Sequence, residues 1–154
     1  MFSVGTTLYQ SGIPIGTCSI SQRSGSVDAA FLTIDNLSSY PVSNTLCSSS
    51  NLLSTNTVNP MVGTNIFIEG AVTSFSQGVI IGTNESIIDD DDILLTNLTS
   101  ADYTATYGDS GAITYTLDPS FTRYTAGVNV GGDGTYEYYC KADIVLSNLG
   151  LERY

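Results

Sequence analysis

At 154 residues the chain fits one domain, and 42% hydrophobic with only 12% charged residues describes a sequence that folds around an apolar core. Fifteen acidic against four basic residues give a net charge of −11, too few cations to hold phosphates, which argues against nucleic acid or an anionic membrane surface as a partner. No segment approaches transmembrane-helix length, and the start, Met1-Phe2-Ser3-Val4-Gly5, lacks the basic residues and apolar run of an export signal.

In chain order the sequence predicts strands almost throughout. Ile13 to Ile20 and Val27 to Ile34 read as two strands around a Ser/Gly-rich turn at Gln22 to Ser26. Residues 35 to 60, rich in Ser, Asn and Thr with Pro41 and Pro60, read as a long connection. A β-series follows: Asn65 to Val72, Gln77 to Thr83, Ile93 to Asn97, Tyr103 to Tyr107, Ala112 to Leu117, Arg123 to Val130 and the aromatic stretch Thr135 to Cys140. Ile144, Val145, Leu149 and Leu151 then fall near helical spacing, with Gly150 placed to cap a short helix.

With so few charges, the polar surface must be built from Ser, Thr, Asn and Gly, which favours strands and turns over surface helices. This surface suggests an extracellular protein, and three glycosylation sequons at Asn36, Asn84 and Asn97 point the same way, though any one of them can arise by chance. An export signal would then lie outside this sequence. The three cysteines leave an odd thiol; Cys18 with Cys47 is one possible pair, leaving Cys140. With no Cys-X-X-Cys and no histidine, a zinc site is not expected.

The informative segment is Tyr107-Gly108-Asp109-Ser110-Gly111-Ala112. It resembles the Gly-Asp-Ser-Gly nucleophile motif of chymotrypsin-like (trypsin-like) serine proteases. Glycines flanking a tight turn present the serine hydroxyl and bring backbone N–H groups together. Three further features match. Gly127-Val128-Asn129-Val130-Gly131-Gly132 resembles the strand that lines the substrate cleft; Asp28-Ala29-Ala30-Phe31 resembles the segment carrying the triad aspartate; residues 144 to 151 resemble the closing helix. The resemblance implies an all-β fold of two antiparallel barrels. Here the second would be complete and the first partial, with residues 1–35 a remnant of the first barrel, 36–62 a connection, and 63–154 the second barrel with its helix. It implies Ser110 as nucleophile, Asp28 as the acid that orients a histidine, the N–H groups of Gly108 and Ser110 as the oxyanion hole, and Asp109 as loop support through a buried ionic contact. Gly127, Val128 and Asn129 would flank the substrate. No metal or organic cofactor is implied.

The departures are as informative. The family's histidine precedes its aspartate, yet the 27 residues before Asp28 hold none, nor does the rest of the chain. Lys141 is the only lysine, arginine cannot serve as a base, and a carboxylate is a poor base for a hydroxyl. Ala112 and Ile113 stand where the family has a second glycine and a proline. The expectation is a serine endopeptidase domain that is inactive as this chain. It is either a piece lacking its histidine half, which leaves Met1 unexplained, or a pseudoenzyme remnant. The alternative is a non-catalytic extracellular β-protein for binding or assembly. A peptide or protein substrate is implied for the completed enzyme, and a partner segment or a homo-oligomer to cover the open first barrel.

Other features have ordinary explanations. Asp89 to Asp92 lacks the alternation and glycine of a calcium loop and reads as a solvated turn. Gly131 to Gly134 has no lysine and reads as a turn, not a phosphate cradle. The tyrosines at 136, 138 and 139 read as strand alternation, although such a face also suits carbohydrate. Thr104 falls where the family sets primary specificity, but no side-chain preference follows from it.

Overall fold

The computed structural model describes residues 2–153. The first three strands, β1 (Thr7–Gln10), β2 (Ile13–Ser24) and β3 (Val27–Ile34), form an antiparallel sheet in the order β1-β2-β3. β3 has the bounds expected from sequence. β2 runs four residues beyond its apolar stretch, so the turn to β3 narrows to Gly25-Ser26, and Arg23 comes to lie directly opposite Asp28.

The other strands are β4 (Leu53–Thr57), β5 (Asn65–Glu69), β6 (Ser76–Ile88), β7 (Leu94–Ala101), β8 (Ile113–Leu117), β9 (Arg123–Gly132) and β10 (Glu137–Lys141). Their order is β10-β7-β6-β5-β8-β9-β4, and β10 also pairs with β9. That last pairing closes β5 to β10 into a six-stranded barrel, which leaves those strands no open edge. β4 lies inside the stretch read as a connection and runs parallel to the first half of β9. It pairs there because Leu53 buries against Leu46 and Tyr115, a single apolar anchor in an otherwise polar segment.

The barrel interior holds Ile66, Ile68, Ile80, Ala101, Tyr103, Ala126 and Tyr139. A second cluster, Val27, Leu95, Leu98, Tyr138, Cys140, Val145 and Leu149, joins the three-stranded sheet, the barrel and the terminal helix into one core. That helix, α1 (Ala142–Leu149), ends at Gly150 in the left-handed conformation, with the N–H of Leu151 returning to the Leu146 carbonyl at 2.9 Å. No described helix is long and apolar enough to cross a membrane.

One expected strand is absent. Tyr103 to Tyr107 is irregular because side chains capture its backbone donors: Thr104 N–H goes to Ser76 Oγ at 2.9 Å and Thr106 N–H to Asp109 Oδ2 at 3.0 Å. A ladder strand would need those donors for a neighbour.

The three cysteines are all unbonded, Cys18 and Cys140 buried and Cys47 exposed, so the possible pair Cys18–Cys47 is not formed. Two of the sequon asparagines, Asn84 and Asn97, take left-handed backbone angles (φ 63° and 57°) in the β6–β7 ladder. Both accept hydrogen bonds from the Lys141 ammonium, at 2.7 and 2.6 Å.

Candidate active site

The site begins with the loop between residues 105 and 112. Gly108 (φ 104°) and Gly111 (φ 89°) occupy positive-φ positions on either side of Asp109 and Ser110. A side chain at Gly108 would also strike Val72, its Cβ lying 2.8 Å from Val72 Cγ2. The loop is pinned from beneath by Asp109, whose exposure is 1%. Its Oδ1 accepts from the N–H groups of Val72 (2.8 Å) and Thr73 (3.2 Å), and its Oδ2 from the Thr73 hydroxyl (2.5 Å) and Thr106 N–H (3.0 Å). Burial alone would raise this carboxyl. The bonds from the Thr73 hydroxyl and the N–H groups of Val72, Thr106 and Thr73 outweigh it and hold the group at about 2.

This corrects one expectation. Asp109 supports the loop, but among the described residues it makes no ionic contact; four neutral donors replace a cation. The carboxylate sits so close to Gly70 that a Cβ there would lie 2.3 Å from Oδ1. Glycine at 70 is therefore part of the same device.

Asn129 braces the loop from the β9 side. It is 2% exposed, and its Nδ2 donates to the Asp109 carbonyl at 3.2 Å while its Oδ1 accepts from Tyr103 Oη at 2.6 Å. Its own backbone pairs with Ala112 and Gly111 at 2.8 Å each. Ser110 thus stands exposed on a fixed base, its hydroxyl donating to the Val130 carbonyl at 2.9 Å. Asp109 N–H is taken up by the Thr106 carbonyl at 2.9 Å, whereas no described residue accepts from the N–H of Gly108 or Ser110.

Ser110 and Asp28 line the same groove, of about 700 Å³. Ala105, Thr106, Tyr107, Asn129 to Gly132 and Glu137 also line it. Gly127 and Val128 do not line it. Gly127 lies farther back in β9, where β10 crosses it so closely that a Cβ would meet the Cys140 carbonyl at 2.2 Å. The part of this strand that lines the groove is residues 129–132. Thr104 is exposed and outside the groove.

Asp28 is held by Arg23, not by an imidazole. Arg23 Nε lies 3.6 Å from Asp28 Oδ2, while its Nη2 and Nη1 reach Asp89 (2.8 Å) and Asp91 (2.6 Å). Burial raises the Asp28 carboxyl above the ordinary range, and Arg23 only partly opposes this. The Asp28 N–H donates to Cys140 Sγ at 3.2 Å. The acidic run is accordingly not a free solvated turn: Asp89 and Asp91 fasten the β6–β7 loop to β2. Lys141 lines a separate recess, occupied with Asn84 and Asn97.

No family model matches the sequence, and no curated protein matches it. Solved structures do. A chymotrypsin from Cellulomonas bogoriensis superposes with a TM-score of 0.79 at 20% identity, covering 99% of this chain and 81% of the other. The fold is that of the chymotrypsin-like serine proteases. Protease A of Thermobifida fusca (TM-score 0.74, 23% identity, 99% and 79% covered) and a Nocardiopsis protease (0.76, 21%, 99% and 80%) superpose as fully.

Sequence reasoning missed Arg23, Glu137 and the bracing role of Asn129. A charged residue inside the aromatic stretch Thr135 to Cys140 was the available signal for Glu137. Arg23 gave none, because its acidic partners at 89 and 91 lie far along the chain.

Proposed function

We propose that this chain is a serine endopeptidase-type domain stopped short of catalysis: it offers a peptide groove with Ser110 as the nucleophile position but has no base to activate it. The observation that carries this reading is the groove shared by Ser110 and Asp28, in which the acid is engaged by Arg23 and the hydroxyl by the Val130 carbonyl. In a completed site Ser110 Oγ would attack a peptide carbonyl, and the unused N–H groups of Gly108 and Ser110 would receive the oxyanion. A histidine would have to remove the serine proton and return it to the leaving amine. The chain contains no histidine, and loss of a triad member removes most of the rate, on the order of 10⁴ to 10⁶ in kcat.

The second reading is a non-catalytic extracellular binding or assembly protein. It is favoured by the Arg23 clasp, which sets a guanidinium beside Asp28 where a working triad would have an imidazole. Among the described residues no further strand pairs with the β1 and β3 edges of the three-stranded sheet, which a partner segment or a second copy would cover. The polar, sequon-bearing surface suits an exported protein.

Incubating the folded chain with a peptide library and reading cleavage by mass spectrometry tests the leading reading. Intact peptides that are nevertheless retained by the chain support it. Cleavage that disappears in Ser110→Ala overturns the claim of inactivity.

A further inference from the structure

We propose that Glu137 is the specificity-determining residue of the groove, and that the groove takes a peptide through a lysine or arginine side chain. This rests on the reading of the groove as a peptide site. Glu137 opens β10 and shares the groove with Ser110. Its carboxylate lies against the backbone of Gly132, where a Cβ would come within 2.8 Å of Oε1.

Glu137 differs from the other acids near the groove. Asp28, Asp89 and Asp91 are each engaged by the Arg23 guanidinium. Asp133 accepts from the N–H groups of Thr135 and Tyr136 and from the Tyr138 hydroxyl. Asp109 is fully occupied beneath the loop, and Asp90 is exposed and solvated. Among the described residues Glu137 forms no ion pair, and the Ala105 N–H is the backbone donor that orients it. It is thus a partly buried, oriented carboxylate with spare acceptor capacity.

Burial pushes its carboxyl above the ordinary glutamate range, the Ala105 N–H opposes this, and Asp109 and Asp133 add to the rise. A bound cation would relieve that imbalance. One carboxylate cannot enclose a metal ion, since calcium takes six to eight oxygens. It does match a guanidinium fork or an ammonium group.

The test measures binding of blocked peptides carrying a central arginine, or citrulline as its uncharged isostere, to the full chain at 150 mM salt. The wild type is expected to favour arginine by roughly 10-fold to 100-fold, the range of one charge-assisted contact. Glu137→Gln should bind both peptides as weakly as the wild type binds citrulline, and Glu137→Lys should turn the preference toward a glutamate peptide. If the lysine variant does not fold, the near-isosteric glutamine variant decides. Equal wild-type affinity for the two peptides, or a preference that survives in Glu137→Gln, overturns the role of Glu137 and leaves the groove reading standing. Binding of neither peptide at millimolar concentration overturns both.

Discussion

Replacing Asp109 with asparagine tests the loop support quantitatively. Each carboxylate oxygen accepts at least two hydrogen bonds, Oδ1 from Val72 and Thr73 and Oδ2 from Thr73 and Thr106. An amide keeps one oxygen and turns an NH₂ toward the donors on the other side, so two donors lose their acceptor. A buried donor left unsatisfied costs about 1–3 kcal/mol, which gives about 3 kcal/mol for the pair after allowing for the exposed face of Thr106. For a domain of this size about 3 kcal/mol lowers Tm by about 6–12 °C. Thermal melts followed by circular dichroism at pH 7 measure this. The pH dependence has a definite sign. The folded carboxyl lies near 2, below its ordinary 3.8, so its stabilisation is fully present above about pH 4 and is lost as pH falls toward 2. The gap between wild type and variant should hold from pH 7 to 4 and close below that. A Tm loss under 2 °C at pH 7, or a gap as wide at pH 2 as at pH 7, would refute the reasoning.

Three other sites can be tested by substitution in the same way. Arg23→Ala leaves Asp28 and Asp89 without their cation; with all three side chains partly solvated the cost should be about 2 kcal/mol, read from the urea midpoint at unchanged m-value. Asn129→Leu strands the buried Tyr103 hydroxyl and the Asp109 carbonyl and should cost about 3 kcal/mol, whereas Tyr103→Phe in the same chain should cost less because it removes one donor cleanly; a double-mutant cycle checks their coupling. Gly70→Ala places a Cβ 2.3 Å from Asp109 Oδ1 and should destabilise wild type by several kcal/mol but add much less to Asp109→Ala, a difference measurable by chemical denaturation.

What could be read from sequence was what is encoded locally. The glycines at 108 and 111 announce a positive-φ turn around Ser110, and the apolar runs of β3, β8 and β9 fall where expected. Asp28 was singled out because its neighbours match a known segment, not through any property of its own. The readings that failed depend on distant partners. Tyr103 to Tyr107 has strand composition, yet Ser76 and Asp109 take its donors. β4 has strand geometry with a single buried apolar residue, so its period was invisible. Asp109 was expected to meet a charge; its four donors include Val72 and Thr73, more than thirty residues earlier. Arg23 looked like a turn residue until β2 carried it opposite Asp28. The sequons at 84 and 97 are also positions where a left-handed asparagine serves Lys141.

The central claim is that Ser110 is correctly presented but not activated. The most direct measurement is the labelling of the purified, folded chain by a fluorophosphonate probe across pH 5 to 9, with Ser110→Ala as control. The account predicts no labelling above the control at any pH. Stoichiometric labelling of the wild type that vanishes in Ser110→Ala would contradict it, because it would require a base that this account says is missing.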